Sequence, residues 1–302
     1  MGISVKNLTK IYGAQRAVDN ISFEAKEGEI LGFLGPNGAG KSTTMKIATC
    51  YIPPTSGTVE VGGYNVETDP LEVKKIVGYL PEHNPLYLDM YVHEYLEFIA
   101  GMHGLSGKQK QSRVAEMVSL VGLTREQRKK IGTLSKGYRQ RIGLAQALIH
   151  DPKVLILDEP TTGLDPNQIS EIRDVIKGIS QQKTVMLSTH IMQEVQALCD
   201  RVIIINKGKI VTDDKTANLQ QQSDQFSISV EFAGKTDHAF LKQIEGVNSV
   251  DEIGTNKYLV FASKDLRAEI FHAAVNANTI IIGLSQESIS LESAFQKLTQ
   301  SK

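Results

Sequence analysis

The sequence has little cysteine and no long apolar run. Its two cysteines, Cys50 and Cys199, lie far apart and form no Cys-x-x-Cys or Cys/His cluster, which predicts two reduced, partly buried thiols without a functional role. The longest apolar segments are strand-length pieces such as residues 202–205, whereas a helix needs ~18 to 20 residues to cross a bilayer. We therefore expect a chain that does not cross a membrane by itself.

The chain also has almost no net charge. Its 33 basic and 34 acidic residues leave a formal charge of -1, so no overall basicity indicates a nucleic-acid-binding protein. The N-terminus lacks the apolar segment of a signal peptide, and Lys6 stands where a myristoylation motif requires Ser or Thr. The sequence predicts a cytoplasmic protein that binds no nucleic acid.

The length of 302 residues is enough for two domains. Strand-like and helix-like segments alternate over residues 1–222, as in an α/β sheet covered by helices. Strand patterning disappears at about residues 86–149, which predicts a helical subdomain there. The polar segment 219–224 lacks periodicity, so we place the boundary of a smaller domain, residues 223–302, at this point.

The smaller domain is predicted to be ferredoxin-like. We expect strands at residues 226–232, 247–253, 258–262 and 279–284, with helices at residues 237–244 and 265–275. This βαββαβ order is that of the ferredoxin-like α+β fold. A last helix, residues 290–298, would carry Leu291, Ala294, Phe295 and Leu298 on one stripe, and such a stripe favours packing against the domain's own core over partner binding.

The segment GPNGAGKS, residues 35–42, fits the phosphate-loop pattern G-x-x-x-x-G-K-[ST]. An apolar strand-like run precedes it and a helix follows, which disfavours the alternative of an ordinary Gly-rich turn. The glycines permit a tight turn that brings backbone N–H donors to the β- and γ-phosphates, Lys41 adds a point charge, and Ser42 would hold Mg²⁺. The predicted nucleotide-binding residues of this segment are Gly35, Pro36, Asn37, Gly38, Ala39, Gly40, Lys41, Ser42 and Thr43.

A pair of carboxylates, Asp158 and Glu159, follows the apolar run 154–157. A strand-end Asp near a phosphate loop is where Mg²⁺ is held, and the next Glu can polarise the attacking water. By itself the pair could be a strand end before a polar turn. Together with the phosphate loop it predicts a metal ligand, Asp158, and a general base, Glu159.

Further segments carry a family resemblance. LSKGYRQRIGLAQAL at residues 134–148, ILDEPTTGLDP at 156–166 and STH at 188–190 resemble the ATP-binding cassette (ABC) ATPases, over roughly the first 220 residues. The resemblance implies an α/β P-loop NTPase with a helical signature subdomain. YLPEHNPLYLDMYV at 79–92 and LESAFQKLT at 291–299 resemble the ATPase subunits of ABC-2 type exporters and, among them, the gliding-motility ATP-binding subunit of Bacteroidetes.

The resemblance also implies roles for single residues. Tyr12 would stack on adenine, with a core or edge aromatic as the less favoured alternative. Ser135 and Gly137 would contact the γ-phosphate of a nucleotide held by a second copy, although Ser135 by itself would be a helix N-cap. Asp165 would lie in the turn that links the two sites. His190 would donate to the γ-phosphate, an assignment that depends on the family order of motifs because a single His after a strand is more often structural.

Three positions depart from the family pattern. Lys136 and Tyr138 replace one Gly and the Gln of the usual LSGGQ signature. Lys136 would place a positive charge near the partner's phosphates, although a solvated Lys is the ordinary case. Glu82 occupies the lid position that usually carries Gln; it can bind Mg²⁺ or a water but cannot donate a hydrogen bond when ionised.

These observations predict an ATPase with ATP and Mg²⁺ as cofactors and Glu159, His190 and Lys41 as catalytic residues. Since one chain supplies one phosphate loop and one signature, we expect a nucleotide-bridged homodimer. It would act as the ATPase of an ABC-2 type exporter, bound to an integral membrane permease at the inner face of the cytoplasmic membrane. Residues 84–88 and the next helix would form the docking groove, although each aromatic residue of that helix could instead belong to the core of the helical subdomain. The alternative is a nucleotide-gated regulatory module with a ligand-sensing C-terminal domain.

Overall fold

The computed structural model describes residues 2–218, 226–234 and 238–287. The chain forms two compact units, Met1–Thr216 and Ala217–Lys302. The boundary predicted after residue 222 lies outside the described residues, and so does the predicted last helix at residues 290–298. Each unit has its own apolar core.

The first unit is a mixed α/β structure. Its elements in chain order are β1 (Ile3–Tyr12), β2 (Gln15–Ala25), β3 (Ile30–Leu34), α1 (Lys41–Ala48), β4 (Ser56–Val61), β5 (Tyr64–Asn65), α2 (Pro70–Ile76), β6 (Val77–Leu80), α3 (Val92–Met102), α4 (Gly107–Leu120), a 3-10 helix (Ile131–Thr133), α5 (Lys136–Leu148), β7 (Val154–Asp158), α6 (Pro166–Ser180), β8 (Thr184–Thr189), α7 (Met192–Leu198), β9 (Arg201–Asn206) and β10 (Lys209–Lys215).

A six-stranded sheet with the order β10-β9-β3-β8-β7-β6 forms the centre of this unit. Strands β9, β3, β8, β7 and β6 run parallel, and β10 is antiparallel to β9. Every residue of β3, β7 and β8 is buried, which explains the apolar runs Ile30–Leu34, Val154–Leu157 and Val185–Leu187 within them. Because the strands are parallel, Leu34 pairs with Thr189 and Asp158 with Ser188 at one edge of the sheet, so the residues after these strands meet there.

A second, antiparallel sheet has the order β2-β1-β4-β5. Its apolar face and that of the central sheet share one core, in which the rings of Phe23 and Phe33 lie 5.1 Å apart. The loop between β3 and α1 lies against this sheet, because an added Cβ on Gly40 would meet the carbonyl oxygen of Ala17. The antiparallel sheet therefore supports one side of the phosphate loop.

Between β6 and β7 the described regular elements are α3, α4, the 3-10 helix and α5. The Tyr95 hydroxyl donates to Gln146 Oε1 at 2.5 Å and joins α3 to α5, and burial raises the pKa of Tyr95 to about 12. Within residues 2–218, 226–234 and 238–287, none of the helices is long and apolar enough to cross a bilayer.

The second unit is an antiparallel sheet with helical connections, as predicted for a ferredoxin-like fold. Its elements are β11 (Phe226–Phe232), a 3-10 helix (His238–Gln243), β12 (Val247–Gly254), β13 (Lys257–Ala262), α8 (Arg267–Asn276) and β14 (Ile281–Glu287). The strand order is β12-β13-β11-β14, and each neighbouring pair is antiparallel. Ile270 and Ala274 of α8 are buried in the same core as Val260 of β13.

One element of this unit differs from its prediction. The α-helix predicted at residues 237–244 was wrong, since the described part is the 3-10 helix His238–Gln243. A segment this short gains little from α-helical propagation, and it is anchored by the buried Leu241 with Phe240 packed against the same core. Short connections of this kind are where 3-10 geometry is common. The last strand also begins two residues later than predicted.

Candidate active site

The phosphate loop, residues 35–42, connects β3 to the start of α1. Two of its glycines have positive φ angles, 79° at Gly38 and 112° at Gly40, a region that other residues rarely adopt. A Cβ on Gly40 would lie 2.5 Å from the Ala17 carbonyl oxygen, and a Cβ on Gly35 would overlap the Ile205 carbonyl oxygen. Both the backbone conformation and the lack of space therefore require glycine in this loop.

The Lys41 side chain lies under the loop and is 5% exposed. Its ammonium donates to the Gly35 carbonyl oxygen at 2.7 Å and to that of Pro36 at 3.3 Å. It also lies 3.6 Å from Glu159 Oε1. A buried ammonium is stable only with such compensation, so the structure holds this cation between the loop and the predicted general base.

Asp158 is the last residue of β7 and is 1% exposed. Its Oδ1 accepts hydrogen bonds from the hydroxyls of Ser42 at 3.1 Å and Ser188 at 2.5 Å. The structure thus brings together Ser42 and Asp158, two of the three residues predicted to bind Mg²⁺; the third is Glu82.

Glu159 follows directly and has a positive φ of 51°. Its backbone N–H is held by Ser188, at 3.0 Å from the hydroxyl and 3.2 Å from the carbonyl oxygen. Its Oε2 lies 2.9 Å from His190 Nδ1 and accepts from the Thr162 hydroxyl at 3.3 Å. The predicted base and the predicted switch histidine are therefore in direct contact, with the carboxylate buried and the imidazole half-exposed.

A cavity of about 370 Å³ opens above the phosphate loop. Tyr12 and Glu82 line it from outside the loop, and Glu159 lines it from the residue directly after β7. The Tyr12 ring is 47% exposed, with the Lys10 ammonium 5.2 Å from its centre. The complete lining consists of Tyr12, Gln15, Ala17, Asn37, Gly38, Ala39, Gly40, Lys41, Ser42, Thr43, Glu82 and Glu159.

The signature residues do not line this cavity. Ser135 is the N-cap of α5, and its hydroxyl accepts from the Tyr138 N–H at 3.5 Å. Asp165 is the N-cap of α6, and its carboxylate accepts from the Gln168 N–H at 2.9 Å. A Cβ on Gly137 would overlap the Gln168 side chain, so the beginnings of the two helices lie side by side.

The departures Lys136 and Tyr138 both lie at the beginning of α5. The Lys136 side chain crosses Gly163, where a Cβ would overlap its ammonium. Tyr138 stacks under the guanidinium of Arg141, 5.9 Å from the ring centre. Lys136 is exposed and lies next to the turn that follows Glu159.

Sequence reasoning missed Ser188 and Glu194, two buried polar residues near the predicted catalytic carboxylates. Ser188 contacts Asp158 and Glu159, while Glu194 accepts hydrogen bonds from Thr161 and Thr189. The available signal was the run of hydroxyl residues at the carboxyl end of β8, next to an acidic strand end in a parallel sheet. Glu194 itself has no such signal, because it lies in a helix with no motif.

The oxygen atoms of Ser42 and Asp158 suit Mg²⁺. This ion prefers oxygen ligands and usually takes one or two from the protein, the others coming from phosphates and water. Among the residues that the structure describes, no group of three or more His, Cys, Asp or Glu side chains could hold a metal ion. Glu82, the third predicted metal ligand, lines the same cavity as Ser42 but lies on an exposed segment.

Comparison with known proteins finds one family. The family model described as ABC transporter matches residues 18–162. The chain is 36% identical to the linearmycin resistance ATP-binding protein LnrL of Bacillus subtilis, over 83% of this chain and 81% of that protein. It is 38% identical to the bacitracin transport ATP-binding protein BcrA of Bacillus licheniformis, over 74% of this chain and 73% of that protein.

Solved structures are similar as well. A dimeric structure of a post-hydrolysis state of the ATP-binding cassette MJ0796, bound to ADP and Pi, superposes with a TM-score of 0.66 and 28% identity, over 71% of this chain and 98% of that one. The structure of an ATP-binding subunit of an ABC transporter gives a TM-score of 0.67 and 28% identity, over 74% of this chain and 93% of that one.

Proposed function

The chain belongs to the ABC transporter family as an ATP-binding subunit with ATPase activity, and we propose that it hydrolyses ATP as a nucleotide-linked homodimer to power a separate membrane permease. The observation that carries this proposal is the meeting of Ser42 with Asp158, and of Glu159 with Lys41 and His190, around one phosphate loop. Phosphoryl transfer is catalysed mainly by such positioning and charge.

Each of these residues has one step in the proposed reaction. The loop N–H groups and Lys41 would bind the β- and γ-phosphates, and Ser42 and Asp158 would hold Mg²⁺, with Glu82 at the lid. When bound there, the ion would neutralise charge on the phosphates. Glu159 takes the proton of the attacking water. His190, whose Nδ1 contacts Glu159, offers its other ring nitrogen to the γ-phosphate.

A second copy supplies the remaining groups. Ser135 and Gly137 lie outside the cavity formed by their own phosphate loop, so they serve a nucleotide held by another chain. Backbone N–H groups at the beginning of α5 suit a γ-phosphate, and Asp165 lies beside them at the beginning of α6. Support comes from the similar cassette MJ0796, which was solved as a dimer. ATP would join the two copies and its hydrolysis would separate them.

The membrane partner is proposed to dock beside the lid. The exposed rings of Tyr87 and Phe98 lie 5.8 Å apart, on the segment and the helix α3 that follow Glu82 along the chain. Among the aromatics of this segment, Tyr95 is buried and belongs to the helical core. An exposed apolar surface of this kind marks a docking site for another protein.

We further propose that the permease is an ABC-2 type exporter, which places the chain at the cytoplasmic face of the membrane. The names of the relatives LnrL and BcrA, a linearmycin resistance and a bacitracin transport protein, support export. A link to gliding motility rests on the motif resemblance alone. Isolation of the tagged chain from its native membranes in mild detergent should bring a permease with it; recovery without any membrane protein would refute this assignment.

The ATPase mechanism is tested with Glu159→Gln. We expect turnover to fall by about two orders of magnitude or more, because a carboxamide cannot take the proton, and the ATP-bound variant to elute as a dimer in light-scattering chromatography. The control is Glu72→Gln, which removes an exposed carboxylate paired with Lys75 and should leave turnover unchanged. A Glu159→Gln protein that hydrolyses ATP at the normal rate, or stays monomeric with ATP and Mg²⁺, contradicts the mechanism.

A further inference from the structure

Glu194 is a buried carboxylate that the proposed reaction does not use. It lies in α7 and is 3% exposed. Its Oε1 accepts a hydrogen bond from the Thr161 hydroxyl, and its Oε2 accepts one from the Thr189 hydroxyl at 2.6 Å. Within the described parts of the chain, no ion pair involves this residue. Since a buried carboxylate is costly without partners, the two hydroxyls are what holds it in place.

The first threonine lies in the turn after the general base. Thr161 follows Glu159 by two residues and is itself 4% exposed. The neighbouring Pro160 carbonyl oxygen accepts from Gln140 Nε2 at 3.0 Å, and Gln140 belongs to α5, the helix that begins at the signature. This turn is therefore connected on one side to the signature helix and on the other to Glu194.

The second threonine lies at the end of β8, directly before His190. Besides donating to Glu194, the Thr189 hydroxyl accepts from the Ile191 N–H at 3.1 Å. These two bonds fix the backbone on both sides of His190. The His190 ring is half-exposed and contacts Glu159 through Nδ1 at 2.9 Å, so its position depends on the backbone that Thr189 holds.

We propose that Glu194 is a positioning residue, which keeps His190 aligned with Glu159 by joining the turn 160–163 to the end of β8. The inference rests on the roles proposed above for His190 and Glu159. Neither carboxylate oxygen of Glu194 faces the nucleotide cavity, whose lining does not include it. Glu194 therefore acts on turnover through alignment, not through contact with ATP.

The test is Glu194→Gln, with kcat and KM for ATP measured separately. A carboxamide keeps one acceptor oxygen but turns an N–H₂ toward the other threonine hydroxyl. We expect kcat to fall about tenfold or more, since misplacement of catalytic groups by a fraction of an ångström to 1 Å has effects of this order. Binding of a fluorescent, non-hydrolysable ATP analogue should change less than about twofold, because Lys41 and the loop are untouched.

A matched control separates alignment from packing. Val195→Ala removes buried methyl groups from the next residue of the same helix and should lower the unfolding temperature while leaving kcat at 25 °C close to normal. If Glu194→Gln also lowers only the unfolding temperature, Glu194 is a structural residue and the inference is wrong.

A second pair of variants covers the case in which Glu194→Gln does not fold. Thr189→Ser keeps the hydroxyl and should keep kcat, whereas Thr189→Val removes it and should lower kcat without changing analogue binding. Equal kcat in the two variants would refute the inference. Failure of the proposed ATPase mechanism would give a different result, namely normal turnover in Glu159→Gln. If Glu159→Gln loses turnover while Glu194→Gln keeps a normal kcat, only the role of Glu194 is overturned.

Discussion

Ser188→Ala tests the structural account of the two carboxylates most directly. The substitution removes one hydroxyl that donates to Asp158 Oδ1 at 2.5 Å and accepts from the Glu159 N–H at 3.0 Å. Ser188 is fully buried, with 0% of its surface exposed. Solvent therefore cannot simply replace the lost group, and both carboxylate residues lose a fixed contact at once.

The expected magnitude follows from the partners that remain. Asp158 Oδ1 keeps its bond from Ser42 at 3.1 Å, and the Glu159 N–H keeps the Ser188 carbonyl oxygen at 3.2 Å. A hydrogen bond to a charged group contributes about 1.5 to 3 kcal/mol and a neutral one about 1 kcal/mol. Because neither partner is left alone, we expect the free energy of unfolding to fall by about 2 kcal/mol instead of the full sum.

The same substitution should affect catalysis more than binding. Without Ser188, the carboxylate of Asp158 can turn away from Ser42, and Glu159 loses the bond that fixes its backbone. We expect kcat for ATP to fall about tenfold or more, with the affinity for a non-hydrolysable analogue reduced less. Urea unfolding followed by circular dichroism gives the stability, and phosphate release gives the turnover.

Ser180→Ala is the matched control. Ser180 is also buried, at 8% exposure, and its hydroxyl donates to the Lys177 carbonyl oxygen at 2.9 Å, in α6 and without contact to either carboxylate. We expect a loss of about 1 kcal/mol in unfolding free energy and normal turnover. If Ser188→Ala also has normal turnover, or loses no more stability than Ser180→Ala, the reasoning about Ser188 is refuted.

Two further predictions concern a glycine and a histidine. Gly40→Ala should abolish ATP binding in a fluorescence titration, because the φ of Gly40 is 112° and an added Cβ would lie 2.5 Å from a carbonyl oxygen. The control Gly101→Ala places its methyl group in open space in α3 and should bind ATP normally. Equal ATP binding by the two variants would contradict the loop argument. Burial lowers the pKa of His150, stacked 3.9 Å from His103, from 6.5 to about 4. Between these two pH values the unfolded chain binds a proton at His150 that the folded chain does not, so the free energy of unfolding should decrease as pH falls from about 6.5 to about 4. Urea titrations at several pH values measure this dependence. If a His150→Gln variant shows the same slope of unfolding free energy against pH, His150 is not its source.

Much of the fold and site could be predicted from local patterns. The run Ile30–Leu34 is apolar throughout because β3 is buried on both faces, and the glycines of the phosphate loop satisfy a backbone conformation that belongs to the loop itself. Asp158 and Glu159 are recognisable because they end a strand of the same kind. Such features depend on neighbouring residues, so they can be found by pattern and spacing.

Other features depend on contacts between distant segments. The sequence gives no reason for Thr161 and Glu194, which lie 33 positions apart, to share a hydrogen bond, or for Ser188 to hold both carboxylates. The predicted helix at residues 237–244 was wrong for a related reason, because packing against the core of the second unit, and not helix propensity, decides its 3-10 form.

The amino-acid sequence by itself determined the phosphate loop, the acidic strand end and the buried strands, since each follows from backbone geometry and burial within a few residues. Only the tertiary structure decided how the side chains of β7, β8 and α7 meet. Parallel pairing of Asp158 with Ser188 brings two strand ends together. The buried carboxylate of Glu194 accepts its hydrogen bonds there from Thr161 and Thr189, because a buried polar group left without partners is costly.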